Sequence, residues 1–236
     1  DAERSNMLNE NLKGRVAVIT GGGGVLCSGF AKDLASFGVK VAVLDLREDA
    51  AQKVVDEINA DGGTALAVGC NVLEAESLEN ARQKINSTLG TCDILINGAG
   101  GNSPLGTTTK DTLEFSDLAE KAEGVKTFFD LDAKGIEFVF NLNFLGTLLT
   151  TQCFAKDMVG KEHACILNIS SMNAYRPLTR IPAYSAAKAA VFARARAGSK
   201  CSARAWSIGA YSKIAASIPT NTRVLRSAWE SSASPC

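Results

Sequence analysis

Tyr184 and Lys188 stand four residues apart in a stretch with helical spacing, which puts both side chains on one face of a helix. An ammonium beside a phenol favours the phenolate and lowers its pKa from about 10 toward the working range of an acid–base catalyst. By itself the pair is also what an ordinary exposed helix face presents. Ser171, 13 residues earlier and just beyond an apolar β run, adds a hydroxyl that can donate to a carbonyl oxygen becoming an alkoxide. Asn143 interrupts an apolar helical stretch, and a buried amide must find partners. It either holds a water that relays protons to Lys188 or braces a neighbouring strand.

A second constellation lies near the N-terminus. Thr20, Gly21, Gly22, Gly23 and Gly24 join a predicted strand to a helix that opens with Val25 and Leu26. Glycines there let backbone amides approach a phosphate, and the helix start adds partial positive charge; a plain strand–helix turn uses the same residues. Asp45 follows Gly21 by 24 residues, at the end of the next strand, where a carboxylate can take both adenosine ribose hydroxyls. Its charge repels a 2′-phosphate, so NAD(H) is preferred, while Arg47 offsets the repulsion and leaves NADP(H) open. The bland alternative for Asp45 is a helix cap.

These residues need elements to carry them. Apolar runs predict strands over 15–20, 39–44, 64–68, 92–96 and 164–169. Helical spacing covers 25–37, 47–60, 74–89, 130–159 and 182–197, and residues 101–128 read as irregular. Continuous apolar strands alternating with helices make an α/β fold with a parallel sheet covered on both faces. Ligands then sit at the carboxyl ends of the strands, which directs attention to loops 20–27, 45–47, 70–72, 97–101 and 170–184.

Composition agrees with one globular domain: 236 residues, 46% hydrophobic and 21% charged. Net charge is zero, giving no overall field for nucleic acid or an anionic membrane, and no apolar run approaches the roughly 18 residues of a span. Seven scattered cysteines without a CxxC pair read as reduced thiols in a cytoplasmic protein. With His163 the single histidine, neither a His-rich metal site nor a serine–histidine triad is expected. The polar N-terminus has no signal core, and Met7 is a candidate natural start. The zero hides an asymmetry: 193–236 carries +6 and is Ser- and Ala-rich, leaving −6 on 1–192.

The ordered set Thr20-Gly21, Asp45, Asn71-Val72, Asn97-Gly98-Ala99-Gly100, Asn143, Ser171 and Tyr184-x-x-x-Lys188 resembles the short-chain dehydrogenase/reductase superfamily. The resemblance implies a Rossmann-type doubly wound parallel sheet over 12–192, a nicotinamide cofactor and an Asn143/Ser171/Tyr184/Lys188 tetrad. In that scheme Tyr184 is the acid/base, Ser171 polarises the carbonyl, Lys188 binds the nicotinamide ribose and tunes Tyr184, and Asn143 supports a proton relay. It also implies a homodimer or homotetramer. Val25 and Cys27 stand where the second and third glycines usually fall, so the cradle is expected to lean on Gly21–Gly24. Asn71 replaces the usual adenine-contacting acid, and Gly98 the usual second Asn.

Within the superfamily the chain is similar to the branch of D-mannonate oxidoreductase (fructuronate reductase) and gluconate 5-dehydrogenase, which implies a sugar acid or polyol as substrate. The long interval from Gly100 to Asn143, with Asn102, Ser103 and Lys110, is a candidate lid over a polar substrate. Arg176 and Arg180 either pair with a sugar-acid carboxylate or are solvated loop charges. After 192 the superfamily's Arg-Val-Asn strand and Pro-Gly loop are missing. The tail is then either a shifted, non-native continuation, which the abrupt break favours, or a divergent surface or oligomer contact. Without a sixth strand one sheet edge is expected to be open. Two functions follow: an NAD(H)-dependent oxidoreductase, or a catalytically impaired dinucleotide-binding protein.

Overall fold

Five strands fall where the apolar runs predict them: β1 (Val16–Thr20), β2 (Lys40–Asp45), β3 (Thr64–Gly69), β4 (Ile94–Asn97) and β5 (Cys165–Asn168). The computed structural model describes residues 11–119, 122–196 and 204–206. A sixth strand, β6 (Arg204–Trp206), pairs in parallel with β5, which corrects the expectation that the sheet stops there. Met7, the chain before residue 11 and the rest of the basic tail beyond 206 lie outside the described residues.

All pairings are parallel, in the order β3-β2-β1-β4-β5-β6. The order reverses between β1 and β4, which is where a doubly wound sheet opens a crevice at its carboxyl edge. Every residue of β1 is buried, because alternate side chains enter opposite cores. Val16 and Val18 pack on one face with Leu44, Leu78, Ile85 and Phe154; Ala17 and Ile19 pack on the other with Ala31, Val43, Val54 and Ile58. The helices supplying these contacts are α1 (Val25–Ser36) and α2 (Glu48–Ala60) on the second face, and α3 (Ala75–Thr88) on the first.

The long helix expected over 130–159 is shorter and interrupted. It begins after Asp132, whose side chain accepts from the Gly135 N–H, and runs as α4 (Ala133–Phe140). One π turn (Asn141–Leu145) leads into α5 (Gly146–Phe154). The stretch Ala133–Asp157 is long and apolar enough to cross a membrane by length and composition. Yet Val139, Asn143, Thr150 and Phe154 are buried in the body of the protein, so it serves as a core helix. Helix α6 (Pro182–Arg196) carries Tyr184 and Lys188.

Candidate functional site

The glycine turn is shaped by close approach. A Cβ on Gly22 would lie 2.6 Å from Val43 Cγ1, and one on Gly23 would lie 3.0 Å from Asp45 Oδ2 and 2.8 Å from Ala50 Cβ. Gly21 has φ +65° and rests against the backbone of Ala99, so it needs both a left-handed conformation and no side chain. The amides of the turn are already engaged: Gly22 N–H donates to Leu44 O at 2.9 Å, Gly23 N–H to Asp45 Oδ2 at 3.1 Å, and Gly24 N–H to Gly21 O at 3.0 Å. The Gly22–Gly24 amides, expected as phosphate donors, thus have partners within the protein. Gly24 is the N-cap of α1 and no side chain caps that helix, so the donors at this end are the first-turn amides of Val25, Leu26 and Cys27. Val25 and Leu26 are exposed at the same mouth. An uncapped helix start beside a side-chain-free turn and a carboxylate fits a dinucleotide.

Asp45 is half-buried; its Oδ1 accepts from Arg47 N–H at 3.1 Å. Each oxygen keeps lone pairs for a ligand.

Four residues expected at the cofactor belong to the framework through their side chains. Thr20 Oγ1 accepts from Gly98 N–H at 3.1 Å and Ala99 N–H at 3.2 Å, tying the ends of β1 and β4 together. Asn97 is buried and donates to Thr151 Oγ1 at 3.0 Å and Asn168 Oδ1 at 2.8 Å, bracing β4 against β5 and α5. Asn71 spends its amide on a turn ahead of α3, accepting from Leu73 N–H and donating to Glu74 Oε1 at 2.8 Å. Val72 is core, packed against Gly146. A polar side chain at a strand end reads the same in sequence whether it faces a ligand or its own neighbours.

The acid–base end is built around Gly100. A Cβ there would lie 2.6 Å from Asn143 Oδ1 and 3.1 Å from Lys188 Nζ, so both groups converge on this glycine at the end of β4. Asn143 sits in the π turn, fully buried. It donates to Gly101 O and Val139 O, each at 2.7 Å, and accepts from Gly101 N–H at 3.2 Å. These bonds favour the bracing role over a water relay. Lys188 is buried, donates to Ile169 O at 2.9 Å and lies 5.6 Å from the centroid of the Tyr184 ring. Burial lowers its pKa from the ordinary 10.5 to about 8, with Cys27 pulling weakly the other way. Tyr184 is half-buried, and its hydroxyl has no partner among the described residues. Ser171 Oγ accepts from Asn173 N–H at 3.2 Å, which leaves its own hydrogen to donate.

Two neighbours outside the predicted site set also shape it. Ser170 Oγ donates to Lys188 O at 2.9 Å and fixes α6 against the end of β5; the Ser-Ser pair after the strand was the available signal. Cys27 Sγ occupies the space that a side chain on Gly98 would need, 2.1 Å from its Cβ position. Burial pushes the Cys27 thiol up to about 11, which the Lys188 ammonium partly opposes and the Asp45 carboxylate reinforces.

Of the candidate substrate residues, Asn102 donates to Thr107 Oγ1 at 2.8 Å, and Lys110 is paired with Asp117 at 2.7 Å, so Lys110 is not a free lid charge. Arg180 Nε donates to Thr108 O at 3.2 Å, whereas the exposed Arg176 guanidinium has no partner among the described residues. No group of three or more His, Cys, Asp or Glu among the described residues could hold a metal ion.

The family model described as short chain dehydrogenase matches residues 15–205. An uncharacterized oxidoreductase of Haemophilus influenzae is 58% identical over 183 residues, 78% of this chain and 63% of its own length. The uncharacterized oxidoreductase UxuB of Bacillus subtilis is 50% identical over 184 residues, covering 78% of this chain and 64% of its own. A solved Haemophilus structure, provisionally named as a D-mannonate oxidoreductase and holding NAD, superposes with a TM-score of 0.76 at 54% identity. That match covers 80% of this chain and 67% of that one. The chain thus spans just under two thirds of the length of these two curated relatives.

Proposed function

The chain belongs to the short-chain dehydrogenase family, and from that premise we propose that it is an NAD(H)-dependent oxidoreductase acting on a secondary alcohol or ketone of a sugar acid. The observation that carries the reading is the convergence of Asn143 and Lys188 on Gly100, with Tyr184 beside Lys188 and the uncapped start of α1 at the same sheet edge.

A bound nicotinamide supplies or accepts the hydride. The amides opening α1 hold the pyrophosphate, and Asp45 accepts from the adenosine ribose hydroxyls. The free hydroxyl of Tyr184 exchanges the proton at the substrate oxygen, and the Ser171 hydroxyl donates to the same atom. Lys188 places a cation beside the phenol and stabilises negative charge developing there. Asn143 keeps the Gly100–Gly101 backbone and the π turn in register, so that this wall of the site does not shift. The Haemophilus structure bearing NAD and the name of a D-mannonate oxidoreductase supports both the cofactor and a sugar-acid substrate for this chain. We further propose a homodimer or homotetramer, as the family resemblance implies, and a cytoplasmic location; light scattering of the purified protein tests the oligomeric state.

Tyr184→Phe should lower kcat by about 10²- to 10⁴-fold while NADH affinity, followed by nicotinamide fluorescence, stays within a factor of three. An unchanged rate refutes the acid/base assignment. A second reading, a dinucleotide-binding protein without turnover, is favoured by the abrupt basic change of composition over 193–236. NADH binding with no turnover on D-mannonate, D-gluconate or their keto forms decides for it.

A further inference from the structure

Beyond the Gly101–Asn143 bonds, the segment following Gly100 is fastened to the body at two further places. The turn Pro104–Gly106 lies on α4 so closely that a Cβ on Gly135 would come within 2.5 Å of Leu105 Cβ, and Asp132 N–H donates to Leu105 O at 3.1 Å. Farther on, the buried Thr108 exchanges two bonds with Arg180. Its N–H donates to Arg180 O at 2.9 Å, and its carbonyl accepts from Arg180 Nε at 3.2 Å. A longer contact from Thr179 Oγ1 to Asp111 Oδ1, at 3.4 Å, lies alongside. Arg180 is four residues before Tyr184, at the end of the loop that starts with Ser171. The two arginines of that loop therefore differ in what they touch: Arg180 is bound to the neighbouring segment, and the exposed Arg176 guanidinium has no partner among the described residues.

We propose that Arg180 is a positioning residue that locks segment 101–119 onto the loop from Ser171 to Tyr184, and that Arg176 is the specificity residue that pairs with the substrate carboxylate. The proposal rests on the sugar-acid reading above. A guanidinium–carboxylate pair is directional and gains most from a fixed bidentate approach. The loop holds one short turn (Met172–Ala174), and the Tyr175 ring packs on Phe192 of α6 with ring centroids 4.6 Å apart. The stretch from Pro177 to Arg180 is irregular, so without the Arg180 contact it would sample many arrangements and lose that advantage. Fastening the loop at Arg180 to a segment that is itself pinned on α4 would narrow the arrangements open to Arg176, four residues away. The Arg180 fork suits this task because its Nε–H is directed along a rigid plane at a buried carbonyl, which a lysine ammonium cannot reproduce with the same geometry.

The test compares the unmodified protein with Arg180→Ala, Arg180→Lys and Arg176→Ala, each saturated with NADH. Calorimetry measures binding of D-mannonate and of the uncharged D-mannitol, and amide exchange is followed over 101–119. Arg180→Ala should speed exchange in that segment at least tenfold and weaken D-mannonate about tenfold, with D-mannitol and NADH affinities nearly unchanged. Arg180→Lys should restore neither property. Arg176→Ala should weaken D-mannonate by a similar factor and leave exchange as it was. Unchanged exchange in Arg180→Ala overturns the lock, and unchanged D-mannonate affinity in Arg176→Ala overturns the carboxylate pairing. If the unmodified protein binds D-mannonate no better than D-mannitol, the sugar-acid reading fails and the Arg176 role falls with it; the exchange measurement still decides the lock.

Discussion

Replacing Lys188 with methionine isolates the cost of burying an ammonium in this site. Lys188 is 5% exposed, and burial takes its pKa from 10.5 down to about 8. A displacement of that size corresponds to about 3 kcal/mol against the charged form. Between pH 8 and 10.5 the unfolded chain keeps a proton on this side chain that the folded chain has released, so unfolding takes up a proton and becomes harder as the pH rises. The folded protein therefore gains up to about 1.4 kcal/mol per pH unit from this group across that window. Below pH 8 both states hold the proton and the penalty is constant. Methionine keeps an apolar stem but removes the titrating group, together with the bond to Ile169 O, whose loss costs about 1–3 kcal/mol at every pH. The difference between the two proteins thus has a fixed part and a pH-dependent part, and the second is diagnostic. Urea unfolding of cofactor-free protein by circular dichroism should show the unmodified midpoint gaining about 1 M on the variant between pH 7.5 and 10.5, for an m-value of about 2–3 kcal/mol/M. Midpoints that run parallel over this range would refute the burial argument.

Asp45→Ser should weaken NAD about tenfold or more and narrow its preference over NADP, measured as Kd for both reduced cofactors, since the carboxylate is the anionic acceptor beside the turn. Gly100→Ala forces a methyl to within 2.6 Å of Asn143 Oδ1, so we expect a loss of about 1–3 kcal/mol by denaturant titration and a lower kcat. Gly98→Asn should destabilise by a similar amount, because its Cβ would meet Cys27 Sγ at 2.1 Å. Adding Cys27→Gly should return part of that loss; strictly additive effects in the double-mutant cycle would show that the two positions do not compete for space.

The strands were legible because a sheet buried on both faces leaves unbroken apolar runs, as in Val16–Thr20 and Lys40–Asp45. Tyr184 and Lys188 were legible because helical spacing fixes their relative placement before any packing is known. The π turn at Asn141–Leu145 was not, since one added residue in a helix leaves no compositional mark. The framework bonds of Thr20 and Asn97 were hidden for a different reason: the strand ends meet at the cleft, so residues that tie the strands to each other occupy positions typical of ligand contacts. Arg176 and Arg180 could not be ranked, because the partner of Arg180 is a backbone carbonyl 72 residues away. The strand Arg204–Trp206 was missed because three residues in a basic stretch carry no periodicity.

Two departures from the family's usual pattern meet in the folded protein. Cys27 stands where the resemblance places a glycine, and Gly98 stands where it places an asparagine. In a strand–turn–helix of this type the third glycine permits close packing of the helix, and here the helix must pack with a thiol in that position. It does so because Gly98 has no side chain, and Cys27 Sγ fills the space beside it. Removing the thiol alone would not make full room for a side chain there, since the Thr20 carbonyl would still stand 2.8 Å from a Cβ at 98. The phosphate site proposed at the start of α1 does not depend on glycine at these positions, since its donors would be backbone N–H groups, which valine and cysteine carry as well as glycine does. Glycine is required instead at Gly21–Gly23, where Ala99, Val43 and Asp45 leave no room for a side chain. The glycines of this turn are therefore not equivalent: those at 21–23 are demanded by packing, whereas positions 25 and 27 accept side chains.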